Sequence, residues 1–369
     1  MSREQPLRVL FLHGDPLTAE TRIRPLLDVL RSENHIGGYA VVDRDMAISG
    51  DLAGYYDAIL AHRNLSTRQL AWLRSSSARF AYDIDDLLLP SPGVKLTARR
   101  AAERASIAWC LINAQRITAP SRRLIATLGS RLGAGFGARS SLLFNFGVEI
   151  PPPLKKAARP RLLWVSSALM PAQDDMIAAC EGIAAAARDL DTDIVLVGRF
   201  APAVLARLGR REHIVWLPPA KYRDFLAQGA FVAVAPLPAG MPPDEQAFVD
   251  CKSDIKAAEY GSNRIAGVYA PVPPYTESDL PCYIAEANTT QAWRESILRI
   301  AKRFPTGGND LPEHPAIAGR RPSVIAKELL TVLTDSRNPV PVGFRAVPTP
   351  AIFRATERAF RKLRSRLFR

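Results

Sequence analysis

Residues 251–260 read C-K-S-D-I-K-A-A-E-Y, and the charged side chains in them are spaced for a particular chemistry. If a helix starts here, with Ser253 or Asp254 as its N-cap and Gly261 as its stop, then Lys252, Lys256 and Glu259 fall in one narrow stripe. Two lysines in a first turn oppose the positive end of the helix dipole and repel each other. An anion placed there reverses the sign, because unpaired N–H groups and two ammonium groups together grip phosphate. A carboxylate one turn deeper repels that phosphate but accepts hydrogen bonds from neighbouring hydroxyls. Phosphates beside a diol describe a nucleotide. The plainer alternative is a surface helix with scattered charges.

The elements that would carry this string are legible as alternating strands and helices. Short apolar runs recur at 8–12, 39–42, 57–61, 79–84, 116–119 and 141–144, with helical periodicity at 18–31, 99–111 and 122–132. The tract Ile150, Pro151, Pro152, Pro153 then breaks any regular element and reads as a linker. The pattern restarts with strands at 161–167, 193–198, 213–217, 231–235, 265–269 and 282–285, and helices at 172–188, 201–208, 222–228, 252–260, 290–303 and 322–333. Near-continuous apolar strands separated by helices indicate parallel sheets covered on both faces. The expectation is an α/β protein of two doubly wound domains, 1–153 and 158–335, facing a cleft, followed by a Pro-containing spacer and tail over 336–369.

Ligands of such folds bind beyond the carboxyl ends of strands, so the residues after each run carry the interest. Asp83, Asp85 and Asp86 come directly after residues 79–82 at the end of the fourth run, and three carboxylates together need water, a cation, hydroxyls or helix termini. A D-x-D pattern at a strand end also suits metal-assisted phosphoryl chemistry, although Leu87, Leu88 and Leu89 follow here. Arg22 and Arg24 open the first helix, where arginine can hold a phosphate or an acceptor anion. Ser166 and Ser167 close a strand with small residues that let backbone N–H groups approach an anion, and Tyr275 follows another strand. Gly133, Gly135 and Gly137 follow a helical segment, so they read as a loop and not a dinucleotide fingerprint. No P-loop, G-x-S-x-G or histidine cluster is present, which gives no support to kinase, triad or His-metal chemistry.

The four cysteines are widely spaced with no C-x-x-C pair, which argues against structural zinc and suits a reducing cytoplasm. The first apolar run is too short for a signal peptide, and no run reaches the length of a membrane span. A cytoplasmic protein is expected. The net charge is +13, and residues 352–369 hold seven basic residues against one acid, with Phe353, Phe360, Leu363 and Leu367 on one helical face. Such a segment fits docking on an anionic membrane surface, on the inner face of the membrane; a solvated tail or a helix packed on its own domain is the alternative. No nucleic-acid motif is present.

Together these strings resemble the GT-B glycosyltransferases, in particular the bacterial retaining, nucleotide-diphosphosugar-dependent enzymes (glycosyl transferases group 1) that build polysaccharides and lipopolysaccharides. K-S-D-I-K-A-A-E-Y at 252–260 resembles that group's K-S-D-I-K-x-x-E-Y, and A-P-L at 235–237 its strand before the donor loop. T-R-I-R at 21–24 and Y-D-I-D-D-L-L at 82–88 resemble its N-terminal elements, and L-F-N-F-G-V at 143–148 its close of the first domain. The resemblance implies two Rossmann-like domains, the second binding the nucleotide-sugar donor. Glu259 would take the ribose hydroxyls, while Lys252, Ser253 and Lys256 neutralise the diphosphate, with Ser167 and Tyr275 near the phosphates. Lys256 and Glu259 would be the catalytic pair, and no metal or other cofactor would be needed. The first domain would present a glycan or glycolipid acceptor, with Arg22, Arg24, Asp83, Asp85 and Asp86 at its edge. Two departures stand out: Cys251 occupies the position of a second glutamate common in relatives, and S-S-A-L-M at 166–170 lacks their histidine, some of whose cationic contact Arg199 would replace. A non-catalytic nucleotide-sugar or glycan-binding relative, and a phosphohydrolase centred on Asp83–Asp86, are the alternatives.

Overall fold

The computed structural model describes residues 6–46, 48, 55–76, 78–89, 97–133, 135–150, 160–170, 173–227, 231–305, 311 and 314–336. Its strands are the apolar runs of the sequence, and most are buried on both faces because helices cover them. In the first half these are β1 (Leu7–His13), β2 (Ile36–Val42), β3 (Ala58–His62), β4 (Ala81–Asp83), β5 (Arg116–Ala119) and β6 (Ser140–Leu142). They form a sheet in the order β2-β1-β3-β4-β5-β6, with every neighbouring pair parallel. Parallel pairs require crossovers, which the helices Arg24–Ser32, Thr67–Ser75, Ala98–Asn113 and Arg122–Leu132 help to supply. Thr67–Ser75 was not anticipated; a reciprocal cap between Ser66 and Gln69 starts it.

The second half repeats the plan with β7 (Arg161–Met170), β8 (Ile194–Phe200), β9 (Arg211–Ile214), β10 (Phe231–Ala235), β11 (Ala266–Tyr269) and β12 (Tyr283–Ile284). Their order is β12-β11-β10-β7-β8-β9, so the winding reverses between β7 and β10. That reversal point is where doubly wound sheets leave a ligand crevice. Trp164, Trp293, Tyr260 and Tyr269 are among the largest fully buried side chains. Gly182 lets the Asp174–Asp189 and Thr290–Arg303 helices approach, since a Cβ there would sit 2.5 Å from the Thr290 carbonyl oxygen.

Among the described residues, those up to Phe144 and from Ile325 onward form one compact unit, and Asn145–Val324 form the other. The chain thus changes unit before the proline tract, and from Ile325 on the helix Pro322–Asp335 groups with the first unit, where Arg116 of β5 donates to Asp335 at 3.1 Å. Several strand ends differ from expectation, and two of them bear on the site and the surface. β7 continues to Met170 instead of stopping at Ser167, with a register slip between Ser166 and Met170. β9 stops at Ile214, leaving Val215 and Trp216 each 59% exposed. No helix among the described residues is long and apolar enough to cross a membrane. The proline tract at 151–153, the spacer from 337 and the basic segment 352–369 lie outside the described residues.

Candidate functional site

β10 carries the chain to the candidate site at the point where the winding of the second sheet reverses. The helix Pro243–Asp250 follows, capped by buried Cys251. The Lys252 amide still bonds to the Val249 carbonyl at 3.1 Å, so Lys252 closes this helix and does not open the next. The next helix is Ile255–Ser262, starting after Asp254, one of the two expected N-caps, and not at Lys252, so Lys252 drops out of the three-residue stripe. Asp254 occupies the N-cap position, but its side chain caps nothing. Arg320, which is 3% exposed, draws it away with bonds of 3.0 and 3.3 Å, and the Ser278 hydroxyl donates to it at 2.6 Å. This pairing removes a negative charge that would otherwise oppose an anion at the helix start.

Lys256 and Glu259 do share a face. Lys256 Nζ lies 2.7 Å from Glu259 Oε2, and Tyr222 donates to the same oxygen at 3.2 Å from the separate helix Pro219–Ala227. Burial, reinforced by the Glu259 charge, pushes the Tyr222 hydroxyl well above its usual range, so it stays a proton donor at neutral pH. The Lys256 and Glu259 side chains are 19% and 22% exposed, enough to meet a ligand and shielded enough to bind it strongly. Lys252 extends its ammonium 4.5 Å from the centre of the Phe248 ring, and the Ser253 hydroxyl accepts from the Asn145 amide at 2.6 Å.

The segment from Asn145 to Glu149 straps this helix in place. Gly147 donates to the Arg320 carbonyl at 3.1 Å, and Val148 donates to the Ser262 hydroxyl at 3.1 Å. A Cβ at Gly147 would lie 2.0 Å from Ser262 Oγ and 2.7 Å from the Ala258 carbonyl oxygen, so only glycine fits. Tyr275 is 5% exposed and its ring packs 4.8 Å from that of Tyr269 in the core. Ser167 lies inside β7 and not at its end, and Arg199 is exposed near the carboxyl end of β8.

In the first unit the aspartates meet a different fate. Asp83 is fully buried and accepts from Arg22 Nε (2.9 Å) and Nη2 (2.8 Å), from the Thr118 hydroxyl (2.6 Å) and from His62 Nδ1 (2.8 Å). His62 and Thr118 reach it because the parallel register sets them beside Asp83 on β3 and β5. Burial alone would raise the Asp83 carboxyl, but the Arg22 charge and the bonds from His62 and Arg22 outweigh it and hold the group well below the usual carboxylate range. Arg22, buried in a π-turn over Ala19–Ile23, also donates to the Leu143 carbonyl at 2.8 Å. The expectation that Arg22 and Asp83 face an acceptor is therefore corrected, since each has its bonds inside the fold. A phosphohydrolase centred on Asp83 loses its nucleophile for the same reason.

Asp85 and Asp86 are taken up by Arg63 at 3.2 and 3.4 Å, which also pairs with Asp15 at 3.3 Å. Arg63 has a φ of +58°, strained for a residue with a Cβ, and its backbone is pinned by bonds to the Asp83 carbonyl (3.0 Å) and from the Tyr82 hydroxyl (2.7 Å). Arg24 bonds to Glu20 on its own helix turn. Sequence reasoning missed His62, Arg63, Thr118, Tyr222, Asn145 and Arg320. The available signal was that charged or hydroxyl residues ending apolar runs need partners. Among the described residues no group of three or more His, Cys, Asp and Glu side chains is placed to hold a metal ion.

Two doubly wound parallel sheets of six strands each define the GT-B fold. Solved structures of similar fold include HepE from Anabaena in complex with UDP and glucose: TM-score 0.58, 13% identity, covering 89% of this chain and 100% of that one. A glycosyltransferase from Rickettsia africae gives TM-score 0.60 at 9% identity over 90% and 99% of the two chains. UDP-GlcNAc 2-epimerase from Neisseria meningitidis bound to UDP-GlcNAc gives TM-score 0.50 at 10% identity over 89% and 100%. No protein-family model matches the sequence, and no curated protein sequence matches it.

Proposed function

We propose that this protein is a glycosyltransferase that moves a sugar from a nucleotide-diphosphosugar to a hydroxyl of a glycan or glycolipid, with retention and without a metal ion, in cell-surface polysaccharide biosynthesis. The observation that carries this is the half-buried cluster of Lys256 and Glu259 on the helix Ile255–Ser262 with Tyr222 of the helix Pro219–Ala227. In the ligand-free chain Lys256 neutralises Glu259; with donor bound, its ammonium turns to the diphosphate and Glu259 accepts from ribose hydroxyls. Lys252 and the uncapped N–H groups at Ile255 and Lys256 add positive potential toward the same anion. As the bond from the sugar to the diphosphate lengthens, negative charge grows on the leaving oxygen where these cations stand, and positive charge grows on the sugar. The acceptor oxygen then bonds to the sugar carbon as the bond to the diphosphate breaks, and its proton passes to the departing diphosphate oxygen. HepE, of similar fold, holds UDP and glucose, which supports the donor class.

Glu259→Gln should lower sugar release or transfer from UDP-sugars by at least about tenfold, the scale of one lost bond to a charged group, while leaving the melting temperature within a few degrees. Undiminished activity in that variant would remove Glu259 from the reaction. Isomerisation of the bound sugar is the second reading, suggested by the fold shared with the Neisseria epimerase. Proton NMR of UDP-GlcNAc incubated with the chain separates the two, since an epimerase changes the sugar and leaves it attached to UDP. Residues 352–369 are proposed to dock the enzyme on anionic membrane; deleting them should weaken sedimentation with phosphatidylglycerol vesicles, and equal sedimentation would retire that role.

A further inference from the structure

Glu259 presents its two oxygens unequally. Both hydrogen bonds that it accepts from described side chains, from Lys256 at 2.7 Å and from Tyr222 at 3.2 Å, land on Oε2. No described side chain bonds to Oε1. The two donors also differ in kind. Lys256 is a charged group on a flexible stem, three residues away on the same helix, and it has a stronger partner whenever a phosphate is near. Tyr222 is a neutral phenol on a ring with two torsions, fixed in the first turn of the helix that starts at Pro219, where its amide bonds to the Pro218 carbonyl at 2.8 Å. It has no charge to offer a phosphate, so it keeps its bond to Glu259 when Lys256 leaves.

Resting on the reading of Glu259 as the acid that binds ribose hydroxyls, we infer that Tyr222 is a positioning residue that anchors Oε2 of Glu259 and aims Oε1 at the vicinal diol, so that the site selects ribonucleotides over their 2′-deoxy counterparts. A carboxylate held by one fixed donor offers its other oxygen in a defined direction, and two neighbouring hydroxyls can both reach it. One hydroxyl cannot replace that pair, and the oxygen facing the missing hydroxyl is left short of a partner. With the phenol removed, Glu259 follows Lys256 or turns to water, and the diol loses its fixed acceptor.

The test is calorimetric titration of the full chain with UDP, 2′-deoxyuridine diphosphate and inorganic pyrophosphate, for the wild type, Tyr222→Phe, Glu259→Gln and the variant carrying both substitutions. The wild type should prefer UDP over its deoxy form by about tenfold or more, as expected for a lost bond to a charged acceptor. Tyr222→Phe keeps the ring and its packing; it should erase most of that preference while leaving pyrophosphate affinity unchanged, a split that a merely structural tyrosine would not give. Glu259→Gln should lose the preference as well, and the double variant should lose no more than either single one. A preference that survives Tyr222→Phe yet disappears in Glu259→Gln overturns the inference and leaves the Glu259 reading standing. Equal loss of UDP and pyrophosphate binding in Tyr222→Phe also overturns it. A wild type that binds none of the three sinks both.

Discussion

Each unit of this protein gathers charge at the carboxyl end of a parallel sheet, and the two gatherings are built differently. Around Asp83 every donor is buried and every lone pair is used: Arg22, His62 and Thr118 leave the carboxylate nothing to offer. Around Glu259 the side chains are a fifth exposed, one ion pair joins neighbours three residues apart, and one carboxylate oxygen has no described donor. A charge cluster that is fully satisfied and dry supports architecture, because opening it to a ligand would expose a bare buried ion. One that is partly wet and partly satisfied can trade its internal bonds for those of a ligand at little cost. In sequence both clusters look alike, as acids and bases after apolar runs.

The comparison can be broken first at its rigid end. Arg22→Ala leaves Asp83 buried without its counter-ion and should cost about 3–5 kcal/mol, read as a large fall in the denaturant midpoint. A loss below ~1 kcal/mol would show that the buried pair carries no weight. The acid limb sharpens the same point. Because the folded Asp83 is held below its unfolded value, its stabilisation is present above the unfolded carboxyl pKa of about 3.9 and drains away as pH falls below it. Asp83→Asn should therefore show a shallower loss of stability below about pH 4 than the wild type; parallel acid limbs would contradict the assignment. At the other end, Lys256→Ala should change stability by less than ~1 kcal/mol, as for a part-exposed pair within one helix.

The sequence showed the α/β class, the two-fold repetition and nearly every strand, because apolar runs bounded by turn residues have few other uses. It also singled out Lys256 and Glu259, whose spacing brings them onto one helical face. What it could not show was register. That His62 and Thr118 flank Asp83 depends on how three strands align, and no local pattern records this. Lys252 was drawn into the helix because residues 251–260 read as one run, whereas its amide closes the preceding helix; Asp254 stands at the N-cap as read, but Arg320, far along the chain, outcompetes the backbone for its carboxylate. The burial of Tyr275 was not legible either, because its position after a strand suggested a rim residue, whereas its ring packs against Tyr269 in the core. Asn145 and Gly147 lay in a string noted only as the close of the first domain, and their role in strapping the Ile255–Ser262 helix required the fold.

The central claim is that the second unit's cluster is the one that exchanges its bonds for those of a nucleoside diphosphate. Titrating UDP into the full-length wild type and into Lys256→Ala by calorimetry tests it most directly. Binding by the wild type, weakened about tenfold or more in the variant while its melting temperature holds, is the expected result. Equal affinity in the two chains, or no heat of binding in the wild type, would contradict it.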